Sequence, residues 1–428
     1  MSLKKVGALI GVLAFLICFS LISSVWAFSV NWSHTYGGYE GETAYSVVET
    51  SDGGFVLAGS TGSFDVANGD FWLVKTDKDG NLEWNQSYGG YGEDTCYALI
   101  QTVDGGYALA GSTMNYGAGG HGMWLVKTDV SGNVEWNKTY GISDWDKAYS
   151  LIETSDGGYA LAGETYRNYL GNFLLVKTDA NGNMEWNRTY GGDSREIAYS
   201  VVESNDGGFA LAGYTWSFSS AGNQDVWLVK TDKFGNLEWY QTYGGAGLDI
   251  GYSLIKTLDG SYALAGITNS YGDGDDDIFL VKTDINGNLK WSKTYGSFDS
   301  EGAYSLIQLP EGGYALAGYS KTSSFDEELE DGLLIQIDEN GNLEGERTYG
   351  NFWNNNFRSI IRASDGNYVI AGKFVIYSSP ESSDFWLVKT KQSEIISEFS
   401  SWTILPLLLV LFFVIIVSKN KFRKKGLE

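Results

Sequence analysis

A carboxylate recurs through this chain at Glu42, Asp94, Asp146, Glu196, Asp249 and Glu301, each three residues before a tyrosine. The seventh equivalent position holds Asn355. Acids at one repeated place can do several kinds of chemistry. Gathered as a ring, they offer the oxygen ligands that Ca2+ prefers. Held one to a turn, they accept backbone N–H groups and cap it, a common use of Asp. Glycoside hydrolysis needs only two of them, placed on either side of a bond. A second group, Asp273, Asp275, Asp276 and Asp277 in GDGDDD, is a candidate Ca2+ loop without the full spacing of an EF-hand, or else a solvated acidic loop.

Other reactive material is scarce. His34 and His121 are the only histidines, which leaves little for a histidine-based zinc site or a Ser-His-Asp triad. Neither a G-x-S-x-G elbow nor a phosphate loop occurs. Cys18 lies in the N-terminal apolar run, so the rest of the chain has Cys96 alone and no internal disulfide. No cofactor is expected, Ca2+ being the one ion the acids admit, and no catalytic residue is assigned.

The chain has 428 residues and a formal charge of −24. Seven basic residues and one acid lie in the two end segments; 22 basic and 52 acidic residues remain between them, or −30. Such a body repels a phosphate backbone, so nucleic acid is not an expected partner.

The ends have their own character. Residues 1–27 combine a basic start, a long apolar run and small residues at V-W-A, the pattern of a secretory signal peptide, with an uncleaved anchor as the alternative. Residues 402–418 are uncharged and mostly apolar, near the short limit for a membrane helix. Lys419, Lys421, Arg423, Lys424 and Lys425 follow, and the positive-inside rule keeps this 419–428 tail in the cytoplasm. The expected arrangement is a body over 28–391 facing outside, a linker over 392–401 and one C-terminal transmembrane helix in the cell membrane. The segment EFSSWTILPLLL also resembles the anchoring tails of archaeal surface proteins.

The body is one sentence rewritten. TDKDGNLEWNQSYGG returns as TDVSGNVEWNKTYG, TDANGNMEWNRTYGG and TDKFGNLEWYQTYGG. Its Trp recurs at Trp32, Trp84, Trp136, Trp186, Trp239 and Trp291, with Gly345 in the seventh copy. Each repeat holds four short runs with strand signals, here called A (AYSVVET), B (FVLAGST), C (FWLVKTD) and D (NLEWNQSYG). Asp77 and Gly80 predict a hairpin with a type I turn and a glycine bulge between C and D. Pairing Asp77 with Asn81 then sets Lys75 opposite Glu83 as an exposed ion pair, and Val74 opposite Trp84.

From the strand-A Tyr position (Arg358 in the last copy) to the Gly of LAG is always 14 residues. From strand C to the Trp position is always 12, and from there to the next strand-A Tyr position always 13. Only the B-to-C connection varies, from 11 to 15 residues. Seven units of four antiparallel strands predict a seven-bladed β-propeller. The last copy has A, B and C but no D; the first has only a D-like strand, SVNWSHTYGG. The N-terminal strand therefore completes the last blade and removes the sheet edge. Strands A to D run outward from the channel, and all length variation falls on one face. That face carries Tyr116, Tyr166, Tyr169, Trp216, Phe218, Tyr271 and Tyr377, candidates for stacking on sugars or gripping a protein, or else for packing the loops. The carboxylates are expected near the channel mouth. Sequons at Asn31, Asn85, Asn137 and Asn187 would sit on outer edges as glycosylation candidates.

The pattern WLVKTDxxGNxxWxxTYGG with DGGYxLAGxT resembles the propeller repeats of the quinoprotein-dehydrogenase-like group, in which a Gly turn precedes a docking Trp. It is also similar to secreted repeat proteins of archaea and bacteria, some labelled endoglucanase-like. The resemblance implies the fold over residues 32–390 and leaves activity open, because propellers host many functions. A quinone-dependent dehydrogenase would bring eight blades and an adjacent cysteine pair, and this chain has neither. The expected function is a membrane-anchored surface module binding glycan or protein; the alternative is a carbohydrate-active hydrolase with paired carboxylates at the channel mouth.

Overall fold

The computed structural model describes residues 25–395 apart from 65–68, 117–119, 168–169, 325–326, 351–353 and 376–381. The expected transmembrane segment over 402–418, the basic tail and most of the expected signal peptide lie outside the described residues, as do Tyr169 and Tyr377. Among the described residues no helix is long and apolar enough to cross a membrane. Phe28–Lys391 forms one compact unit.

The described strands form seven four-stranded sheets, six of them in sequence order. Blade 1 is Glu42–Glu49, Phe55–Thr61, Asp70–Thr76 and Leu82–Tyr88, and blades 2 to 6 repeat it. Blade 7 takes Asn356–Arg362, Tyr368–Val375 and Ser383–Ile395 from the end of the chain and Val25–Tyr36 from its beginning. The Trp386 indole donates to Ser33 Oγ at 2.8 Å across this seam. The propeller is thus seven-bladed and closed by its N-terminal strand.

The TDKDGNLEWNQSYGG phrase works between blades. Gly80 has φ +81°, and a Cβ on it would lie 2.9 Å from the Trp32 ring of the preceding blade. The Tyr36 hydroxyl donates to the Gly80 carbonyl at 2.6 Å. Trp84 and Tyr88 repeat both contacts on Gly132, as do Trp136 and Tyr140 on Gly182. A glycine is needed there for the turn and for the ring laid over it. The core is accordingly divided into layers between blades; Ala44, Val47, Phe55 and Trp72 of blade 1 pack on Val369, Ala371, Phe385 and Leu387 of blade 7.

The C–D register differs from the expected one. Asp77 N–H does donate to Asn81, at 2.9 Å. A bulge at Glu83 then sets Lys75 opposite Trp84 and Val74 opposite Asn85. The ion pair survives at 2.8 Å, but it is not exposed: the Lys75 side chain is only 5% accessible and also meets Asp52 of the A–B turn at 3.0 Å. Lys127, Lys177 and Lys230 join an A–B turn to a D strand in the same way. In blade 5 Asp259 lies between Lys282 and Lys290, which explains how two lysines are tolerated there.

Candidate functional site

Alternation along strand A decides what reaches the channel. The six carboxylates stand an odd number of residues before the Tyr, so they project from the opposite face of the sheet. They lie not at the channel mouth but buried under the D–A connections, against the preceding blade. Glu42, Asp94, Asp146, Glu196 and Asp249 are 0% exposed and Glu301 6%. Each accepts a backbone N–H from its own D–A connection: Gly38, Gly90, Ile142 with Ser143, Gly192, Gly245 and Ser297 respectively. Most also accept a hydroxyl from strand B, as Glu42 does from Thr61 at 2.9 Å and Glu196 from Thr215 at 3.0 Å.

Four of these acids have a second one beside them. Gly89 is pressed between Asp70 and Asp94, Gly37 between Asp384 and Glu42, Gly244 between Asp225 and Asp249, and Gly296 between Asp277 and Glu301. Burial raises the carboxyl pKa of Asp94, Asp225, Asp277 and Asp384, and the neighbouring acid adds to the rise in the last three. Elsewhere one member is an amide, as in Asn172 beside Glu196 and Asp331 beside Asn355. The A–B turn acids go the other way. Asp52 is held at about 2 by the Thr50 hydroxyl, with Gly54 N–H and Lys75 adding to it. Asp104 and Asp156, against an opposing effect of burial, are held at about 2 by lysine and threonine partners.

These two groups predict a stability maximum on the acid side of neutrality. A carboxyl whose folded pKa is raised binds its proton more tightly when folded, so stability increases as pH falls from 7 toward that pKa. A carboxylate whose folded pKa is depressed stabilises above its unfolded value near 4, and that contribution is lost as pH falls toward about 2. Melting scans from pH 8 to pH 3 should show Tm rising to about pH 5 and falling below about pH 4. A monotonic fall from pH 8 downward would contradict this account.

Among the described residues no three His, Cys, Asp or Glu side chains come close enough to hold a metal. That covers both the six-carboxylate set and the Asp273–Asp277 loop, where Gly274 N–H donates to Asp277 at 3.3 Å.

The tyrosines three residues further on do meet. A bulge in strand A at each of them, as between Ala44 and Ser46, turns the ring toward the next blade and into the channel. Neighbouring centroids are 5.1 Å apart for Tyr45–Tyr97, 4.9 Å for Tyr97–Tyr149, 5.2 Å for Tyr149–Tyr199, 5.0 Å for Tyr199–Tyr252 and 5.1 Å for Tyr252–Tyr304. Their interplanar angles, 52° to 64°, are close to a seventh of a turn, about 51°. Each ring is therefore the last one rotated by a blade. Arg358 closes the circle, its guanidinium 3.9 Å from the Tyr304 centroid and 5.9 Å from that of Tyr45. Burial raises the pKa of all six phenols, which stay neutral donors.

Residues two before each Tyr share its face, and here the repeat breaks: Thr43, Thr95, Lys147, Ile197, Ile250, Gly302 and Asn356. Their strand-B partners are Ser60, Ser112, Glu164, Tyr214, Ile267, Tyr319 and Lys373. One sector is apolar, with Ile197, Tyr214, Ile250 and Ile267 packed together. Another is charged: Glu164 accepts from Tyr149 at 2.8 Å and pairs with Arg195 at 3.0 Å. Sequence reasoning passed over this set; counting by twos from the Tyr finds it.

The loop aromatics are built into their own blades. Tyr116 lies 5.2 Å from Trp124, Phe218 5.3 Å from Trp227 and Tyr271 5.9 Å from Phe279. Tyr116 and Tyr271 hydroxyls donate to the Gly89 and Gly244 carbonyls. Tyr166 lies under Arg195, and Trp216 is 40% exposed. More open are rings the sequence reading left aside, on the D–A connections of the same face. Tyr39 is 97% exposed, Tyr91 80% and Phe298 89%. The equivalent positions in blades 3, 4 and 5 hold Ser143, Asp193 and Ala246, and that of blade 7, Phe352, lies outside the described residues, so the open rings fall on either side of blade 7, at blades 6, 1 and 2. Of the sequons, Asn31, Asn85 and Asn137 are exposed on D strands and Asn187 is half-buried; Asn85 and Asn137 accept from the Trp72 and Trp124 indoles.

No protein-family model matches the chain, and no curated protein does. Among solved structures it is similar to a protein of unknown function from Dyadobacter fermentans, at 13% identity over 85% of this chain and 99% of that one, with a TM-score of 0.48. It is similar to the periplasmic gluconolactonase of Pseudomonas aeruginosa, at 14% identity over 79% and 96%, with a TM-score of 0.49. It is also similar to Sqt1 of Chaetomium thermophilum bound to the N-terminus of the ribosomal protein L10, at 14% identity over 84% and 98%, with a TM-score of 0.47.

Proposed function

We propose that this protein is a surface-held binding module that takes glycan or protein ligands on its loop face. The observation that carries the reading is the arc of Tyr39, Tyr91 and Phe298, three aromatic rings almost wholly in water on one side of one face. Rings so exposed contribute little to folding, and aromatic side chains are the residues that anchor partners and stack on sugars. The narrower likeness to the quinoprotein-like group and the endoglucanase label add nothing to it. The six repeat carboxylates that the hydrolase alternative would draw on are buried and already cap turns. The apolar segment 402–418 and the leader over 1–27 support a propeller held outside the cell membrane, and resistance of the full chain to alkaline extraction from membranes tests that part.

Replacing Tyr39, Tyr91 and Phe298 together by Ala should abolish retention on whichever glycan or protein the intact chain binds in a panel screen. The folding stability should change by less than about 0.5 kcal/mol per site, the range for exposed positions. Retention unchanged in the triple variant would refute the arc as the binding surface. Release of reducing ends from a glycan, lost on a single carboxylate substitution, would favour the hydrolase.

A further inference from the structure

The aromatic circle in the channel has seven equivalent places, and one of them departs from the repeat. Where six blades carry Tyr, blade 7 carries Arg358. It lines a chamber of about 450 Å³ with the six tyrosines, with Leu99 and Leu151, and with Ser46, Ser150, Ser305 and Ser359. That volume is within the range of small-molecule pockets, roughly 300–1,000 Å³.

Two carboxylates near the circle are already matched, whereas Arg358 has no acid of its own. Glu164 is held by Arg195 and Tyr149. Glu330 meets Lys321 at 3.8 Å and accepts from Asn356 at 3.1 Å. Arg358 donates Nε–H to Asn356 Oδ1 at 3.2 Å and lies over Tyr304, yet among the described residues no carboxylate pairs with it. It also hydrogen-bonds the Tyr304 side chain, and a half-buried guanidinium with no carboxylate partner is still shaped for a planar, two-oxygen anion. Around it the chamber supplies ring faces and hydroxyls. Ser150, Ser305 and Ser359 each accept a backbone N–H from the next blade, which leaves their O–H protons for a further acceptor.

We propose that the channel binds a small hydroxylated carboxylate of the sugar-acid class, its carboxylate on Arg358 and its body against the tyrosine faces and serine hydroxyls. The site rests on the reading of this protein as a binding module but lies in the channel, apart from the aromatic arc.

Calorimetric titration of the full chain with galacturonate, galactose and acetate tests it. Galacturonate should bind, galactose should bind at least tenfold more weakly for want of the carboxylate, and acetate likewise for want of the hydroxyls. Arg358→Tyr restores the repeat residue and should keep Tm while weakening galacturonate at least tenfold. Arg358→Lys, which keeps the charge and loses the two-pronged geometry, should fall between and serves if the Tyr variant folds poorly. Failure of galacturonate to bind, equal binding of galactose or of acetate, or unchanged affinity in both variants would overturn the proposal. The Tyr39, Tyr91 and Phe298 triple variant should bind galacturonate normally. If it loses galacturonate, the ligand sits on the arc, and the channel site falls while the binding-module reading stands.

Discussion

Removal of Phe28–Tyr36 is expected to leave no cooperatively folded propeller. These residues are the outer strand of blade 7, supplied from the far end of the chain. Phe28 and Tyr36 are buried at 3% and 8% exposure, and Trp32 packs against the same core as Phe55 and Phe385. Burying each of these rings stabilises by about 1.5–3 kcal/mol, so the three together approach the roughly 5–15 kcal/mol that holds a typical domain. The loss is larger than this sum suggests. Without the strand, the Ser383–Ile395 strand becomes an open edge, and the Trp386 indole loses its Ser33 acceptor. Near-UV circular dichroism of the shortened chain should show no cooperative melt, and a synthetic 28–36 peptide added in excess should restore part of it. A truncated protein melting within a few degrees of the intact chain would mean that the wheel does not depend on this seam.

The second large effect concerns the LAG glycines. At the strand-A bulge the backbone of A comes so close to B that a Cβ on Gly213 would lie 1.7 Å from the Ile197 carbonyl oxygen. The same contact is 1.9 Å at Gly59 and 1.8 Å at Gly163, Gly266 and Gly318, with backbone each time. No rotamer change relieves it; the two central strands must part, and the tyrosine circle with them. Gly213→Ala should cost about 3 kcal/mol, the upper end for overpacking. Gly157 offers the control. It has φ +84° and nothing within 4 Å of its would-be Cβ, so Gly157→Ala should cost only about 1–2 kcal/mol of backbone strain. Urea midpoints at unchanged m-value measure both. Equal costs at the two sites would show that the B strand yields where the packing says it cannot.

Blade number, strand order and closure are legible in the chain because each follows from local chemistry that repeats. The fixed spacings of 14, 12 and 13 residues are hairpins and tight connections, and short loops admit few geometries. The missing D strand at one end and the surplus D strand at the other state the closure outright. The Asp77–Asn81 turn is local and stands as expected, but one bulge at Glu83 slips the register beyond it. Such a bulge follows from how the outer strand packs, which no count along one strand reveals. The same limit hid the fate of the carboxylates. Three residues before the Tyr is the opposite face of a strand, and only the neighbouring blade makes that face an interior. Lys75 became a buried cation because Asp52 comes to it from another hairpin. Arg358, Tyr45 and Tyr304 meet only when the wheel is shut. Repeated residues thus determined the scaffold, since each needs nothing beyond its own and the adjoining blade. The channel and the face were decided by the tertiary structure, because their chemistry lies in the differences between blades and those matter only once seven of them share a centre.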